Sequence, residues 1–191
     1  MGRIHDELTP DLIDWIGSQH LFFVATAPSG PGGHVNVSPK GHDTFRILGP
    51  TTVAYLDLTG SGVETIAHVR DNGRLTLLFC AFEGKPRILR LFGQAEAVLP
   101  DDPRFADLAS GFPALPGTRA VIRCELDRIG DSCGYSIPFL TYEGERETLL
   151  DWAERRGPDG IAEYHDEKNR TSIDGLAGLP APDARLSPSE R

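Results

Sequence analysis

The run His34-Val35-Asn36-Val37-Ser38-Pro39-Lys40-Gly41 brings a hydroxyl, an ammonium group and unusual backbone together at the end of an alternating strand. Proline fixes the chain at one point and glycine frees it at the next, so neighbouring N–H groups can aim outward instead of closing a ladder. A turn of this kind suits a phosphate or the edge of a polar ring, with Lys40 able to pair with a dianion. A second anion-seeking feature lies at Ser61-Gly62-Val63-Glu64, which has capping-box spacing: Ser61 can accept from the third helical amide while Glu64 reaches back to the cap. The helix it starts would direct its positive end, with the Thr65 hydroxyl, toward the same kind of ligand. A third, Ser132-Cys133-Gly134-Tyr135, offers a thiol and a phenol on a turn.

Other chemistries lack their residues. His34, His42 and His68 have no metal-ligand spacing, and Ser38 and Ser136 lie outside any Gly-x-Ser-x-Gly elbow. Cys80, Cys124 and Cys133 are odd in number and unpaired in spacing, which reads as reduced thiols, the first two inside apolar strand patterns. No Gly-x-Gly-x-x-Gly turn follows a strand.

The elements that would position these groups are mostly strands. Thr9-Pro10-Asp11 reads as a helix start, with an apolar face from Leu12 to Ile16 and a stop at Gly17. Leu21 to Thr26 and His34 to Ser38 form a hairpin around Pro28-Ser29-Gly30-Pro31-Gly32-Gly33, followed by short strands near Phe45 to Leu48 and Thr52 to Asp57. A helix from Ser61 to Gly73 ends at Asn72-Gly73, a left-handed stop. Arg74 to Phe82 and Arg87 to Val98 flank a hairpin loop, and Val121 to Ile129 alternates apolar with charged residues. Six or seven strands with only short helices between them favour an antiparallel barrel over a doubly wound parallel sheet. Past Pro138 the composition turns to helix formers, at Glu145 to Arg156 and Ile161 to Asn169, with a frayed tail expected from Pro180.

Length and charge narrow the partners. The 191 residues, 39% hydrophobic, suit one domain with a real core, expected over residues 1–179 with 180–191 as a flexible tail. The formal net charge of −9 opposes binding to nucleic acid or anionic lipid. Apolar runs fall well short of the roughly 18 residues of a spanning helix, and the charged start carries no signal core; a cytoplasmic protein is expected.

Taken in order, Val37-Ser38-Pro39-Lys40-Gly41, Gly60-Ser61-Gly62-Val63-Glu64-Thr65, Asn72-Gly73-Arg74, Gly93-Gln94-Ala95-Glu96 and Ser132-Cys133-Gly134-Tyr135-Ser136-Ile137-Pro138 resemble the pyridoxamine 5'-phosphate oxidase-like family. With Lys168-Asn169-Arg170-Thr171-Ser172-Ile173-Asp174-Gly175-Leu176, the likeness is to a flavin-binding subgroup whose substrates are mostly unassigned. It implies a mainly β, α+β fold: a six- to seven-stranded antiparallel split barrel with short flanking helices that binds flavin mononucleotide (FMN). It also implies a homodimer with the flavin between subunits and a small-molecule substrate. The cofactor-binding residues so implied are Val37, Ser38, Pro39, Lys40, Thr59, Gly60, Ser61, Thr65 and Tyr135.

Two departures matter. Pyridoxamine 5'-phosphate oxidases proper carry an Arg-Lys pair where this chain has Glu64-Thr65, and they end in an Arg-x-His substrate motif that is missing here. The vitamin substrate is therefore not expected. Two functions remain: an oxidoreductase whose bound flavin accepts hydride from an amine or reduced nicotinamide, and a binding protein that carries flavin, deazaflavin or haem without turnover.

Overall fold

The computed structural model describes residues 2–181. Its strands are β1 (Arg3–His5), β2 (Phe22–Thr26), β3 (Asn36–Lys40), β4 (Phe45–Ile47), β5 (Thr52–Leu58), β6 (Arg74–Cys80), β7 (Ile88–Val98) and β8 (Thr118–Ser132). The helices are α1 (Pro10–Gly17), α2 (Glu64–Asn72), α3 (Phe105–Ala109) and α4 (Thr148–Lys168). Seven strands form one antiparallel path, β3-β2-β6-β7-β8-β5-β4, and β1 pairs with the end of β8.

The two ends of that path curl toward each other. Phe22 of β2 meets Phe45 of β4 at 5.3 Å between ring centroids and Tyr55 of β5 at 5.6 Å. The result is the antiparallel barrel that the strand pattern favoured, in the split form that the resemblance implied, open along the line between β3 and β4. Strand alternation fills it: Val24, Val53, Leu75, Leu77, Phe79, Leu89, Leu91 and Ile122 point inward and are buried, with Leu12 and Ile16 of α1 and Ile66 of α2 in the same cluster. Each such side chain contributes roughly 1.5–3 kcal/mol of hydrophobic stabilisation. β5 is buried on both faces, because Ala54 and Leu56 lie under Phe105 and Phe112 on the outer side.

Several boundaries differ from the sequence reading, each for a visible reason. The strand expected to stop at Ser38 runs on through Pro39 to Lys40, so these residues belong to a strand and the turn begins at Gly41. β3 tolerates the proline because it ends the sheet path, where a missing N–H costs no ladder bond to an outer neighbour. The helix expected from Ser61 begins at Glu64, with Val63 at the cap and no side-chain cap bond. The capping box does not form because Glu64 Oε1 accepts from the backbone N–H of Ile173, at 3.2 Å, and the carbonyls of residues 60–62 are held elsewhere. Its end is as expected: Gly73 adopts a φ of 73°.

Thr9 is the N-cap of α1 with Pro10 at the first position, again without a side-chain bond. The two C-terminal helices join as α4, broken at Gly157, where φ is 65° and ψ 175°, just before Pro158. β1 and α3 were not foreseen. All three cysteines are free, with Cys124 buried, Cys80 half-buried and Cys133 exposed. The tail expected from residue 180 lies, from 182 onward, outside the described residues. Among the described residues no helix is long and apolar enough to cross a membrane.

Candidate functional site

The alternation of β5 sends Tyr55 and Asp57 into the barrel, and Asp57 becomes a fully buried carboxylate. A charge so placed must be paired. Lys40 Nζ stands 3.3 Å from one carboxylate oxygen and Arg119 Nε donates to the other at 2.6 Å. Burial pushes the Asp57 pKa up, but the opposite charges of Arg119 and Lys40 outweigh it and hold the group below its ordinary value of 3.8. Arg119, itself buried at the start of β8, also donates through Nη1 to the Gly62 carbonyl and to Asn169 Oδ1, both at 2.9 Å. Asn169, directly after α4, donates from Nδ2 to the carbonyls of Gly60 at 3.0 Å and Ser61 at 3.5 Å.

The consequence is geometric. In a planar trans peptide the carbonyl of one residue and the N–H of the next point in opposite directions. The carbonyls of Gly60, Ser61 and Gly62 all turn inward to Asn169 and Arg119, so the N–H groups of Ser61, Gly62 and Val63 turn outward. They lead into the first turn of α2, whose dipole adds to them. Successive outward amides at a helix start are an anion-binding arrangement.

The loop is pinned from its other side too. The N–H and hydroxyl of Thr59 both donate to the Gly117 carbonyl, at 2.8 and 2.7 Å, which leaves Thr59 Oγ1 to accept from His165 Nε2 at 2.8 Å. The proton on His165 is thereby assigned to Nε2. Burial, then the positive charges of Arg119 and Arg170, lower the His165 pKa and keep the ring neutral.

The residues foreseen from the sequence divide clearly. On β3 the pleat puts Asn36, Ser38 and Lys40 on the sheltered face, while Val37, 59% exposed, and Pro39 lie on the outer face. Asn36, which the sequence reading passed over, donates to Thr65 Oγ1 at 3.1 Å and so ties β3 to α2. Thr59, Gly60, Ser61 and Thr65 are all brought to this place. Ser38 Oγ and the Tyr55 hydroxyl are buried there with no hydrogen-bond partner among the described residues. Tyr135 is apart from them: it is 83% exposed on the segment after β8. Lys40 is not a free turn lysine, because Asp57 claims its charge.

Asp57, Arg119 and His165 were missed, and Asn169 was noted only within the stretch Lys168 to Leu176, without a role. For Asp57 a signal existed: a lone carboxylate in the apolar run Val53-Ala54-Tyr55-Leu56-Asp57-Leu58 must find a cation.

The segment after α4 closes over the loop. Leu179 N donates to the Asn169 carbonyl at 2.8 Å and Gly178 N to that of Arg170 at 2.9 Å, folding the segment back on itself. A side chain at Gly178 would strike the Asn169 carbonyl and Val63, so only glycine allows this approach. Asp174 accepts from the backbone N–H of His34 at 2.7 Å and lies 2.6 Å from its Nδ1, so the segment also reaches the approach to β3. Between them lies a cavity of about 530 Å3 whose walls include Asn36, Ser61, Gly62, Glu64 and Ser172. A separate hollow of about 860 Å3 lies between the end of α1, the β6–β7 hairpin and residues 140–146.

Fold and site together describe a split barrel with three outward amides at the start of α2. The family model for pyridoxamine 5'-phosphate oxidase matches residues 8–133. The protein ustO of Aspergillus flavus, a pyridoxamine 5'-phosphate oxidase family protein, is 40% identical over 198 residues, covering 94% of this chain and 78% of ustO. The chain belongs to the pyridoxamine 5'-phosphate oxidase family. Among solved structures, a variant of HupZ from Group A Streptococcus superposes with a TM-score of 0.53 at 26% identity, over 65% of this chain and 99% of that one. A Lactobacillus delbrueckii protein provisionally described as a pyridoxamine 5'-phosphate oxidase shares the fold, with a TM-score of 0.51 at 19% identity, over 65% of this chain and 94% of its own.

Proposed function

We propose that the protein is a flavoprotein that binds FMN by its phosphate at the outward amides of Ser61, Gly62 and Val63, and serves as an oxidoreductase on a small-molecule substrate. The observation that carries this reading is the inward turn of three consecutive carbonyls at residues 60–62, which leaves three donors for one anion. Lys40 and Arg119 are claimed by Asp57, and Lys168, which lines the cavity with Ser61, Gly62 and Glu64, is paired with Glu167, so amides and hydroxyls carry the recognition. Thr65 and Ser38 supply hydroxyls, and the unpartnered Ser38 Oγ is suited to donate to a polar ligand atom.

A flavin, when bound, supplies hydride acceptance, so the protein need only hold and orient its reactants. We place the ring along the open line between β3 and β4 and have a second copy of the chain cover it. Val37, Pro39 and Tyr135, which stand outward, are the residues offered to that copy. On this reading the working form is a homodimer.

The test is a fluorescence titration with FMN and with riboflavin, which has the same ring and no phosphate. Micromolar or tighter FMN with much weaker riboflavin is the expected outcome; a folded protein that ignores both would sink the proposal. Anaerobic bleaching of bound flavin by reduced nicotinamide, reversed by air, is expected of the oxidoreductase. Bound flavin that no hydride donor reduces would mark a carrier instead.

A further inference from the structure

We infer that Arg119 and Asn169 are positioning residues for phosphate recognition, so that the segment beyond α4 is a working part of the nucleotide site and not only a cover for the barrel. The inference rests on the flavin reading for its ligand, but its geometry stands on this chain alone. Neither side chain needs to touch the phosphate. Arg119 holds the Gly62 carbonyl, Asn169 those of Gly60 and Ser61, and Arg119 joins the pair by donating to Asn169 Oδ1. Asp57 fixes the guanidinium in turn, with Lys40 donating to its other oxygen.

Free of these donors, the carbonyls of a glycine-flanked loop such as Gly60-Ser61-Gly62 could rotate to water, taking the three amides with them. Ser38 Oγ, buried on the sheltered face of β3 with no hydrogen-bond partner among the described residues, supplies an independent mark of a ligand here. Asn169 is fully buried, and its carbonyl accepts Leu179 N, which ties the position of the amide group to the returning segment.

The experiment is an amide proton–nitrogen spectrum of the full chain, titrated with inorganic phosphate, FMN and riboflavin, for the wild type and Asn169→Ala. Asn169→Ser, which leaves a hydroxyl and room for a bridging water, is carried alongside in case the alanine variant does not fold. In the wild type the resonances of Ser61, Gly62 and Val63 are expected to shift with phosphate and with FMN. In the variant the FMN dissociation constant should rise about tenfold, the order of one lost charge-assisted contact, while that for riboflavin stays within about twofold. A merely structural role would lower the melting temperature and weaken both flavins equally; that result, or no change in either, overturns the inference. Wild-type amides deaf to both phosphate and FMN overturn it as well. If phosphate moves them, the variant abolishes that response and no flavin binds, the flavin reading fails and the positioning role stands.

Discussion

Two regions beside the barrel are built on opposite terms. Around Asp57 a single chain completes its own chemistry: carboxylate, guanidinium, carboxamide and three backbone carbonyls satisfy one another below the surface. Residues 133–147, which follow β8, are mostly exposed. Leu140 N donates to the Phe82 carbonyl at 3.1 Å, Tyr142 N to Glu83 at 3.1 Å, and the Tyr142 ring stacks on His20 at 3.7 Å, yet Phe139 is 82% exposed and Leu140 55%. The lesson is that polar order and apolar order have different owners here. The first is nearly finished within the protomer, with Ser38 Oγ left over; the second leaves large apolar side chains exposed.

The comparison breaks most visibly at its polar end. Asp57→Ala leaves Arg119 and Lys40 without their anion, and should cost about 3–5 kcal/mol of unfolding free energy in urea, as expected for one half of a buried pair. A loss below about 1 kcal/mol would mean that the network is not as dry as it looks. Lys40→Ala should be milder for the fold, because Arg119 still neutralises Asp57, and, because amides and hydroxyls carry the recognition, should weaken FMN by no more than about 1 kcal/mol in a fluorescence titration. A larger loss would put Lys40 in direct contact with the ligand.

Acid should take the polar region apart in two stages. The neutral His165, and His68, buried in α2 with its Nδ1 3.0 Å from Thr26 Oγ1, both have pKa values lowered, chiefly by burial, so their stabilisation is complete above their ordinary value of 6.5 and is lost as pH falls below it. Asp57, held below 3.8, keeps its contribution to lower pH and gives it up only under stronger acid. Melting temperature against pH should therefore begin to fall below about 6.5, and His165→Gln should flatten that first slope. A flat profile down to pH 4 would refute the assignment of the histidines.

The smallest effect on stability belongs to the apolar region. Phe139→Glu should leave the unfolding free energy of the isolated protomer within about 0.5 kcal/mol of the wild type, since so exposed a ring packs on little of its own chain. The same change should weaken self-association in sedimentation velocity. A dimer of undiminished strength would show that residues 133–147 face something other than a second copy.

The barrel was legible from the sequence because its information is local. Alternation in Leu75-Thr76-Leu77-Leu78-Phe79 and in Arg123-Cys124-Glu125-Leu126 announces faces, and Asn72-Gly73 announces a stop. The site was legible only where it too is local, at Ser38, Lys40 and the start of α2. Its organising residues come from distant parts of the chain. Arg119 and Asn169 meet the loop at residues 60–62 across separations of 57 residues or more; the stretch around Asn169 carries the family likeness, but nothing local says that its carboxamide reaches that loop. Ser61 was misread for the same reason: the capping-box pattern is a local preference, and a tertiary pull on its carbonyl overrode it.

Pro39 carries one more implication. It sits in the terminal strand of the sheet, where a row of unused donors would invite a like strand from another molecule to add on. A residue with no hydrogen to give interrupts that row, so runaway strand-by-strand polymerisation has no continuous template on this side. Association through the same margin is then left to side chains, which can be specific and can stop at two.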